Sequence, residues 1–154
     1  MQVTLARPVN DKATGRSTTM AATTLEHQAT TTSDNKRSDV LLDIRAKQAA
    51  ARYLELKGYE IVDQDWPCEA GVIDIVAYDV DGTLAFINVR TSREGFHDPG
   101  NEAARRRLFE SVALAYLGEH DVEDTQVRYD DICLVPVGND RAMLKHHVNA
   151  LGQM

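Results

Sequence analysis

The sequence has few of the residues that mark disulfide-rich, metal-chelating or membrane-spanning proteins. Its 154 residues include only two cysteines, Cys68 and Cys133, which lie far apart and lack the close spacing of a zinc or redox site. We expect both to be buried free thiols in a reducing cytoplasm. No apolar run reaches the length of a signal peptide or a bilayer span. The sequence therefore predicts a cytoplasmic protein that does not associate with membranes.

Basic residues are also scarce. The chain has 17 Lys and Arg against 24 Asp and Glu, a net charge of −7. Residues 1–37 carry five basic and three acidic residues, so residues 38–154 hold 12 basic and 21 acidic residues, a net charge of −9. A body this acidic cannot attract nucleic acid through a general basic surface, because backbone contacts depend on clustered Lys and Arg. Any binding of nucleic acid must be local.

Large apolar residues are rare in residues 1–37, and threonines occur there in runs. Such a composition cannot bury enough apolar surface to offset the entropy of ordering the chain. We therefore predict a disordered Thr-rich tail over residues 1–37, followed by a single domain over residues 38–154.

The domain alternates between helical and strand patterns. A capping pair at Ser38-Asp39 predicts a first helix that ends at Gly58, with Leu41, Ile44, Ala51 and Leu54 on its inner face. The other predicted elements are a strand over residues 59–66 that stops before Pro67, a hairpin over residues 71–90, a helix over residues 101–117 with Leu108, Val112, Ala115 and Tyr116 inward, and strands over residues 127–137 and 143–148. The order α-β-β-β-α-β-β predicts an α/β fold with a mixed sheet flanked by helices.

The hairpin carries the polar residues of most interest. Asp81-Gly82 supplies a tight turn, and alternation in the second arm places Asn88 and Arg90 on the face of Leu84 and Phe86. Asp74 in the first arm is a carboxylate among apolar residues, which needs a partner, a metal ion or solvent. A turn of odd length would place Asp74 opposite Asn88, whereas an even turn would leave a diagonal offset. A polar strand end at a sheet edge would explain Asp74 equally well.

The histidines do not form a metal-binding pattern. His146 and His147 are adjacent, so they point to opposite faces of a strand and cannot chelate one ion together. We expect both to be structural, and the same holds for His27, His97 and His120.

Several short blocks resemble one protein family in the order in which they occur. They are Lys57-Gly58-Tyr59-Glu60-Ile61, Asp65-Trp66-Pro67-Cys68, Gly71-Val72-Ile73-Asp74-Ile75-Val76-Ala77, Phe86-Ile87-Asn88-Val89-Arg90-Thr91-Ser92-Arg93, Arg128-Tyr129-Asp130 and His147-Val148-Asn149-Ala150. Together they resemble the YraN family of small bacterial proteins, which is similar to Holliday-junction resolvases and to PD-(D/E)XK nucleases. The resemblance spans about residues 41–151 and implies a restriction-endonuclease-like mixed sheet flanked by helices.

The resemblance also implies a catalytic pattern, from which this sequence departs. Nucleases of this fold hold Mg²⁺ with carboxylates on adjacent strands and use a lysine to orient or deprotonate water. Their pattern has an acidic residue in the first helix, Gly-Glu-Ile-Asp in one hairpin arm and Glu-Val-Lys in the other. Here the helix position is Lys47, the first Glu is Val72, and the second arm has Asn88 and Arg90. Of the pattern's acids, only Asp74 remains.

Each replacement changes the chemistry of the implied site. Asn88 offers a metal only a weak neutral oxygen, so any metal would depend on Asp74. The guanidinium of Arg90 can donate paired N–H groups to a phosphate, but it cannot act as a general base. Lys47 adds a second cation where a metal would lie. We therefore predict a degenerate catalytic site of Asp74, Asn88 and Arg90 with no cofactor, and phosphate contacts from Lys47, Arg90, Arg105 and Arg106.

Three functions follow as hypotheses. The first is a nuclease-fold protein associated with nucleic acid, its metal-dependent cleavage weakened or lost, with branched or structured DNA as a possible partner. The second is an active Mg²⁺-dependent endonuclease whose carboxylates have moved to Glu69, Glu102 or Asp130. The third is a non-catalytic module that binds a protein partner. Salt-sensitive DNA binding would separate the first from the third.

Overall fold

The structure is a computed structural model that describes residues 1–6, 27–96, 103–122 and 124–151, with side chains of the first helix from Ser33 onward. In this part of the chain two helices flank one six-stranded sheet. The elements are β1 (Gln2–Thr4), α1 (His27–Leu56), β2 (Glu60–Cys68), β3 (Gly71–Tyr78), β4 (Leu84–Thr91), α2 (Ala103–Glu119), β5 (Val127–Val137) and β6 (Arg141–His147). The predicted α/β architecture, a restriction-endonuclease-like mixed sheet with flanking helices, is confirmed. No helix among the described residues is long and apolar enough to cross a membrane.

The strand order is β1-β6-β5-β4-β3-β2. Strands β4 and β5 are parallel, and the other neighbours are antiparallel. Parallel neighbours need a long crossover, which α2 provides between β4 and β5. This crossover places β4 and β5, which are distant in sequence, side by side in the sheet. The polar residues of β4 therefore lie next to β5.

The β3–β4 hairpin has an odd loop, as one of the two predicted alternatives requires. Tyr78 pairs with Leu84 across a loop of residues 79–83, and the pairing continues to Ile75 and Ile87. Gly82 adopts φ 87°, the left-handed conformation that glycine tolerates best. One further step along the same register places Asp74 opposite Asn88.

Two hydrophobic cores lie on the two faces of the sheet. The α1-side core includes Ala85 and Ile87 of β4 beneath Ala50 and Leu54 of α1. The α2-side core includes Leu84 and Phe86 beneath Phe109, Val112 and Tyr116 of α2. Alternate residues of β4 therefore enter opposite cores, which confirms the predicted faces of the second hairpin arm.

Helix α1 differs from its prediction in length and in its inner face. It begins at His27 instead of Ser38, and its side chains from Ser33 to Leu41 are exposed. Leu41 and Ile44, predicted to be inward, are 45% and 47% exposed. The predicted Ala51 and Leu54 are buried, and the rest of the inner face consists of the small residues Ala46, Ala49 and Ala50. Alanines let the helix approach the sheet closely, and their spacing carries little hydrophobic signal.

The predicted disordered tail is partly structured. β1 pairs with the edge of β6, and Leu5 is only 3% exposed within the α1-side core. The guanidinium of Arg45 donates to the carbonyl oxygens of Leu5 and Ala6 at 3.0 and 2.8 Å, which fixes the chain after β1. Residues 7–26 lie outside the described part of the chain. Composition did not predict the order of this segment, because the residues that it contacts are distant in sequence.

In helix α2 the predicted inward residues Val112 and Tyr116 are buried and Ala115 packs against the core, but Phe109 takes the inner position predicted for Leu108. Phe109, Val112, Ala113 and Tyr116 are buried, whereas Leu108 is 51% exposed. Strand β2 continues through Pro67 because it lies at the sheet edge, where proline is tolerated. Cys133 is buried as expected, but Cys68 is only partly buried, and both are free thiols.

Candidate functional site

Asp74 lies where the β3–β4 ladder opens. Its Oδ2 accepts a hydrogen bond from the backbone N–H of Val89 at 2.7 Å, and its Oδ1 lies 3.1 Å from Nζ of Lys47. The side chain of Asp74 is 12% exposed. A carboxylate so little hydrated needs such donors to remain ionised. The side chain of Asp74 therefore takes the place of a backbone acceptor in the ladder and holds a cation on its other oxygen.

Lys47 bridges two carboxylates. Its Nζ lies 2.9 Å from Oδ1 of Asp65 and 3.1 Å from Oδ1 of Asp74. The hydrogen bond to Asp65 is the largest influence on the pKa of Lys47; partial burial opposes it, but the bond and charge of Asp74 add to it, and the pKa rises above its ordinary value. The ammonium is therefore charged at neutral pH. It lies between Asp65 and Asp74, where a bound metal ion would otherwise balance their charge.

Asp65 is a site residue that the sequence did not single out. It lies on β2 between the pairs that join Gln64 to Ile75 and Trp66 to Ile73, which places it opposite Asp74. Its φ of 50° is left-handed, a conformation that Asp tolerates better than most residues. An exposed Asp in an edge strand carries no sequence signal for this pairing, because its partner Lys47 is on another element.

A second pair joins Arg90 to a fully buried carboxylate. Oδ2 of Asp131 accepts from Nε of Arg90 at 2.9 Å, and Oδ1 accepts from Nδ2 of Asn88 at 3.3 Å. Burial lowers the pKa of Arg90, but the hydrogen bond and negative charge of Asp131 outweigh it and raise that pKa. Arg90 is thus the counter-charge of Asp131. The sequence analysis missed Asp131, although a carboxylate in the apolar strand β5 was a visible signal.

The pKa of Tyr129 reflects the charged groups around it. Burial, followed by the negative charges of Asp131 and Asp74, raises the pKa of Tyr129 to about 12, while the positive charges of Arg105 and Arg90 act to lower it. The charges of Asp74, Arg90 and Arg105 therefore all act on Tyr129, and Lys47 is paired with Asp74. A shared site formed by these residues stays a prediction.

Arg106 has a contact at the end of the described chain. Its Nη2 donates to the carbonyl oxygen of Leu151 at 2.6 Å, which ties α2 to that segment. The contact of Arg105 and Arg106 with phosphate stays a prediction. Adjacent residues on a helix point about 100° apart, which the run of three arginines concealed.

Asp130, one of the carboxylates proposed to have moved, belongs to a different network. Its oxygens accept from Nε and Nη2 of Arg128 at 2.8 and 3.0 Å, from Nε2 of His146 at 2.9 Å and from the N–H of Asn149 at 2.9 Å. Burial raises the pKa of Asp130, but the hydrogen bonds from His146, Arg128 and Asn149 outweigh it and lower that pKa. The oxygens of Asp130 are engaged in holding strands together, so His146 has the structural role expected of it.

The other proposed ligands do not complete a metal site. Glu69 is exposed in the turn between β2 and β3, and Glu102 lies outside the described residues. Across residues 1–6, 27–96, 103–122 and 124–151, no group of three or more His, Cys, Asp and Glu side chains is arranged to hold a metal ion. Among the histidines, His120 donates from Nδ1–H to the carbonyl oxygen of Tyr116, and its ring stacks on the ring of Tyr116. The side chain of His27 and all of His97 lie outside the described part.

Comparison with known proteins places this arrangement in a family. A protein-family model described as "Uncharacterised protein family UPF0102" matches residues 46–134. A UPF0102 protein of Roseiflexus castenholzii is 40% identical over 94 residues, which cover 58% of this chain and 73% of the relative. UPF0102 proteins of Beutenbergia cavernae and Geobacter sulfurreducens are 34% and 33% identical, over 65% and 71% of this chain and 86% and 88% of the relatives. The chain belongs to the UPF0102 family, which is the YraN family that its motifs resemble.

Proposed function

We propose that this protein contacts the phosphate backbone of nucleic acid through a nuclease-like fold that no longer performs metal-dependent cleavage. The observation that carries this proposal is the ammonium of Lys47, held 2.9 Å from Asp65 and 3.1 Å from Asp74. A divalent ion bound by the same carboxylates would have to displace this group or lie against it.

The electrostatics oppose a metal ion. Two unit charges about 4 Å apart interact by about 4 kcal/mol at an effective dielectric constant near 20, and a divalent ion doubles that figure before solvent screening. Lys47 has 34% of its side chain exposed, so screening weakens the repulsion without removing it. Asn88 supplies no compensating charge, and its Nδ2 donates to Asp131. Hard cations depend on carboxylate charge, and Lys47 neutralises part of that charge here.

Neither Arg90 nor Lys47 is suited to act as the base for hydrolysis. Arg90 remains protonated in proteins, and its Nε–H is directed at Asp131. Lys47 has a raised pKa, so its neutral form is rare at neutral pH. Water activation by a neighbouring lysine, which the family pattern requires, has no candidate among Lys47 and Arg90.

The same cations support contact with phosphate. An ammonium has three N–H donors, of which Lys47 directs two at carboxylates. Arg90 is 22% exposed and carries a positive charge. Arg105 adds a third positive charge beside Tyr129. The chain carries a net charge of −7, so the protein around this local contact repels the phosphate backbone. We therefore expect weak binding, with an affinity that decreases as the salt concentration rises.

Calorimetric titration with Mg²⁺ and with Mn²⁺ tests the loss of the metal site. We expect no saturable binding by the wild-type protein, and the same flat result for Asp74→Asn. A saturable site that Asp74→Asn removes, together with Mn²⁺-dependent cleavage of branched or supercoiled DNA, would overturn the proposal and favour the active endonuclease.

Fluorescence anisotropy with labelled single-stranded, duplex and four-way-junction DNA tests the phosphate contact. Arg105→Ala should weaken binding at low ionic strength, because Arg105 adds positive charge near Tyr129, where the charges of Asp74 and Arg90 also act. Arg107→Ala is the matched control, since Arg107 is an exposed arginine on the same helix. Equal binding by both variants, or no binding by the wild type in low salt, would contradict a phosphate contact at this site.

A protein-binding role is the second candidate, and one surface favours it. Val40, Leu41 and Ile44 of α1 are 52%, 45% and 47% exposed, and residues 40 and 44 lie one helical turn apart. Such apolar clusters on helices are typical of partner contacts. If DNA binding is absent while Leu41→Lys abolishes association with a purified partner, this function replaces the first.

A further inference from the structure

A row of polar side chains crosses the sheet beside the Arg90–Asp131 pair. Asp131 of β5 pairs in register with Asn88 of β4 on one side and with His147 of β6 on the other. Directly opposed residues of antiparallel strands have Cβ atoms about 5 Å apart and project to the same face. His147 is therefore the cross-strand neighbour of the carboxylate that holds Arg90.

The imidazole of His147 is incompletely satisfied. Its Nε2 is buried and has no hydrogen-bond partner within the part of the chain that the structure describes. Its neighbour His146 differs, since Nε2 of His146 is 2.9 Å from Asp130 on the opposite face. A buried nitrogen without a partner is costly in a folded protein, so it calls for an explanation in ligand binding, proton transfer or a second side-chain position.

We propose that His147 regulates the phosphate contact by binding a proton. Protonated His147 has two N–H donors and a positive charge next to Asp131, so it competes with Arg90 for that carboxylate. The Nε–H of Arg90 then becomes available to a phosphate oxygen. This inference rests on the proposed function and adds its regulation.

The charges around His147 fit this exchange. Asp131 of β5 is the neighbouring carboxylate, and it is fully buried with Arg90 of β4 at 2.9 Å. Lys145 lies two positions earlier on β6, so its side chain projects to the same face as His147. Protonation of His147 therefore adds one positive charge next to the carboxylate of Asp131.

The expected result is a binding affinity that rises as pH falls and His147 takes up a proton. One additional charge-assisted contact corresponds to about a tenfold gain in affinity between pH 8 and pH 5.5. Every acidic protein gains some affinity for a polyanion at lower pH, so the informative quantity is the difference between variants.

The test measures DNA binding against pH at constant ionic strength for the wild type, His147→Gln and His120→Gln. His147→Gln should lose most of the pH dependence, while His120→Gln should keep it, because His120 contacts Asp63 and Tyr116 away from Asp131. Equal pH profiles for the wild type and His147→Gln would overturn the inference.

A measurement without nucleic acid separates failure of this inference from failure of the proposed function. In NMR titrations the Nε–H resonance of Arg90 should move with the same midpoint as the His147 ring in the wild type, and should not move with that midpoint in His147→Gln. If this coupling is seen while DNA does not bind at any pH, the proton link stands and the phosphate contact is wrong. If DNA binds and the Arg90 resonance does not shift with protonation of His147, the proton link is wrong.

Discussion

Replacing Lys47 with glutamine tests the central electrostatic feature, a lysine whose ammonium lies between the carboxylates of Asp65 and Asp74. The change removes the positive charge between Asp65 and Asp74 and leaves two carboxylates whose nearest oxygens are at most about 6 Å apart. Asp74 loses a hydrogen bond to a charged donor while it stays 12% exposed. We expect the folded state to be destabilised and the vacated position to attract external cations.

The magnitude follows from two contributions. Repulsion between unit charges about 6 Å apart is about 3 kcal/mol at an effective dielectric constant near 20, and the 62% exposure of Asp65 reduces it to about 1 kcal/mol. The lost hydrogen bond to Asp74 contributes about 1 kcal/mol more. Lys47→Gln should therefore lower the free energy of unfolding by about 2 kcal/mol.

Urea denaturation with and without Mn²⁺ or Ca²⁺ measures both effects. The ions should restore part of the lost stability in Lys47→Gln and leave the wild type unchanged, because only the variant offers uncompensated carboxylates. Lys57→Gln is the matched control, an exposed lysine at the end of α1. Wild-type stability in Lys47→Gln, or equal responses to cations in the two proteins, would refute the assignment of Lys47 as the internal counter-ion.

Three other changes follow from the described contacts. Tyr59 and Tyr129 have pKa values raised to about 12, so the folded state binds more protons than the unfolded state once pH passes the ordinary value of 10.0. Stability should therefore fall between pH 10.0 and about pH 12, which denaturation at a series of pH values would show. A late phase should also appear in the absorbance titration of tyrosine. Asp131→Asn should cost about 3 kcal/mol in urea denaturation, because it leaves the partly buried Arg90 without its carboxylate, and a cost below 1 kcal/mol would contradict the pairing. Leu5→Ala should cost about 2 kcal/mol in the same assay if the segment after β1 is part of the core, whereas a disordered tail would show no effect.

The features that sequence analysis predicted correctly are local. The two-residue alternation of β4 assigned Asn88 and Arg90 to the face of Phe86, and the odd loop alternative placed Asp74 opposite Asn88. Both inferences depend only on residues close in sequence, within one hairpin. The element order predicted the fold class for a similar reason, since helical and strand periods are read within single segments.

The features that escaped prediction depend on distant partners. Asp131 and Asp65 acquire their roles from Arg90 and Lys47, which are on other elements. Leu5 is buried because β1 finds the edge of β6, more than 130 residues away in sequence. Patterns within one segment contain no information about such pairings.

The phase of a helix is a further limit. Arg106 was assigned to the phosphate site because it is adjacent to Arg105, but one step along α2 directs it to Leu151. Leu108 and Phe109 exchange inner and outer positions by the same one-residue shift. A run of similar residues leaves this rotation undetermined, and packing against Phe86 and Tyr129 then sets it.

The parallel pairing of β4 with β5 has a consequence for how the strands find their alignment. Asn88 is level with Asp131, and Arg90 reaches it from two residues further along β4. A slip of the two strands by one residue would turn these side chains to opposite faces, and a longer slip would carry the guanidinium out of reach. Either error would enclose an unneutralised acid, so the ion pair disfavours misaligned strands more strongly than interchangeable aliphatic contacts can.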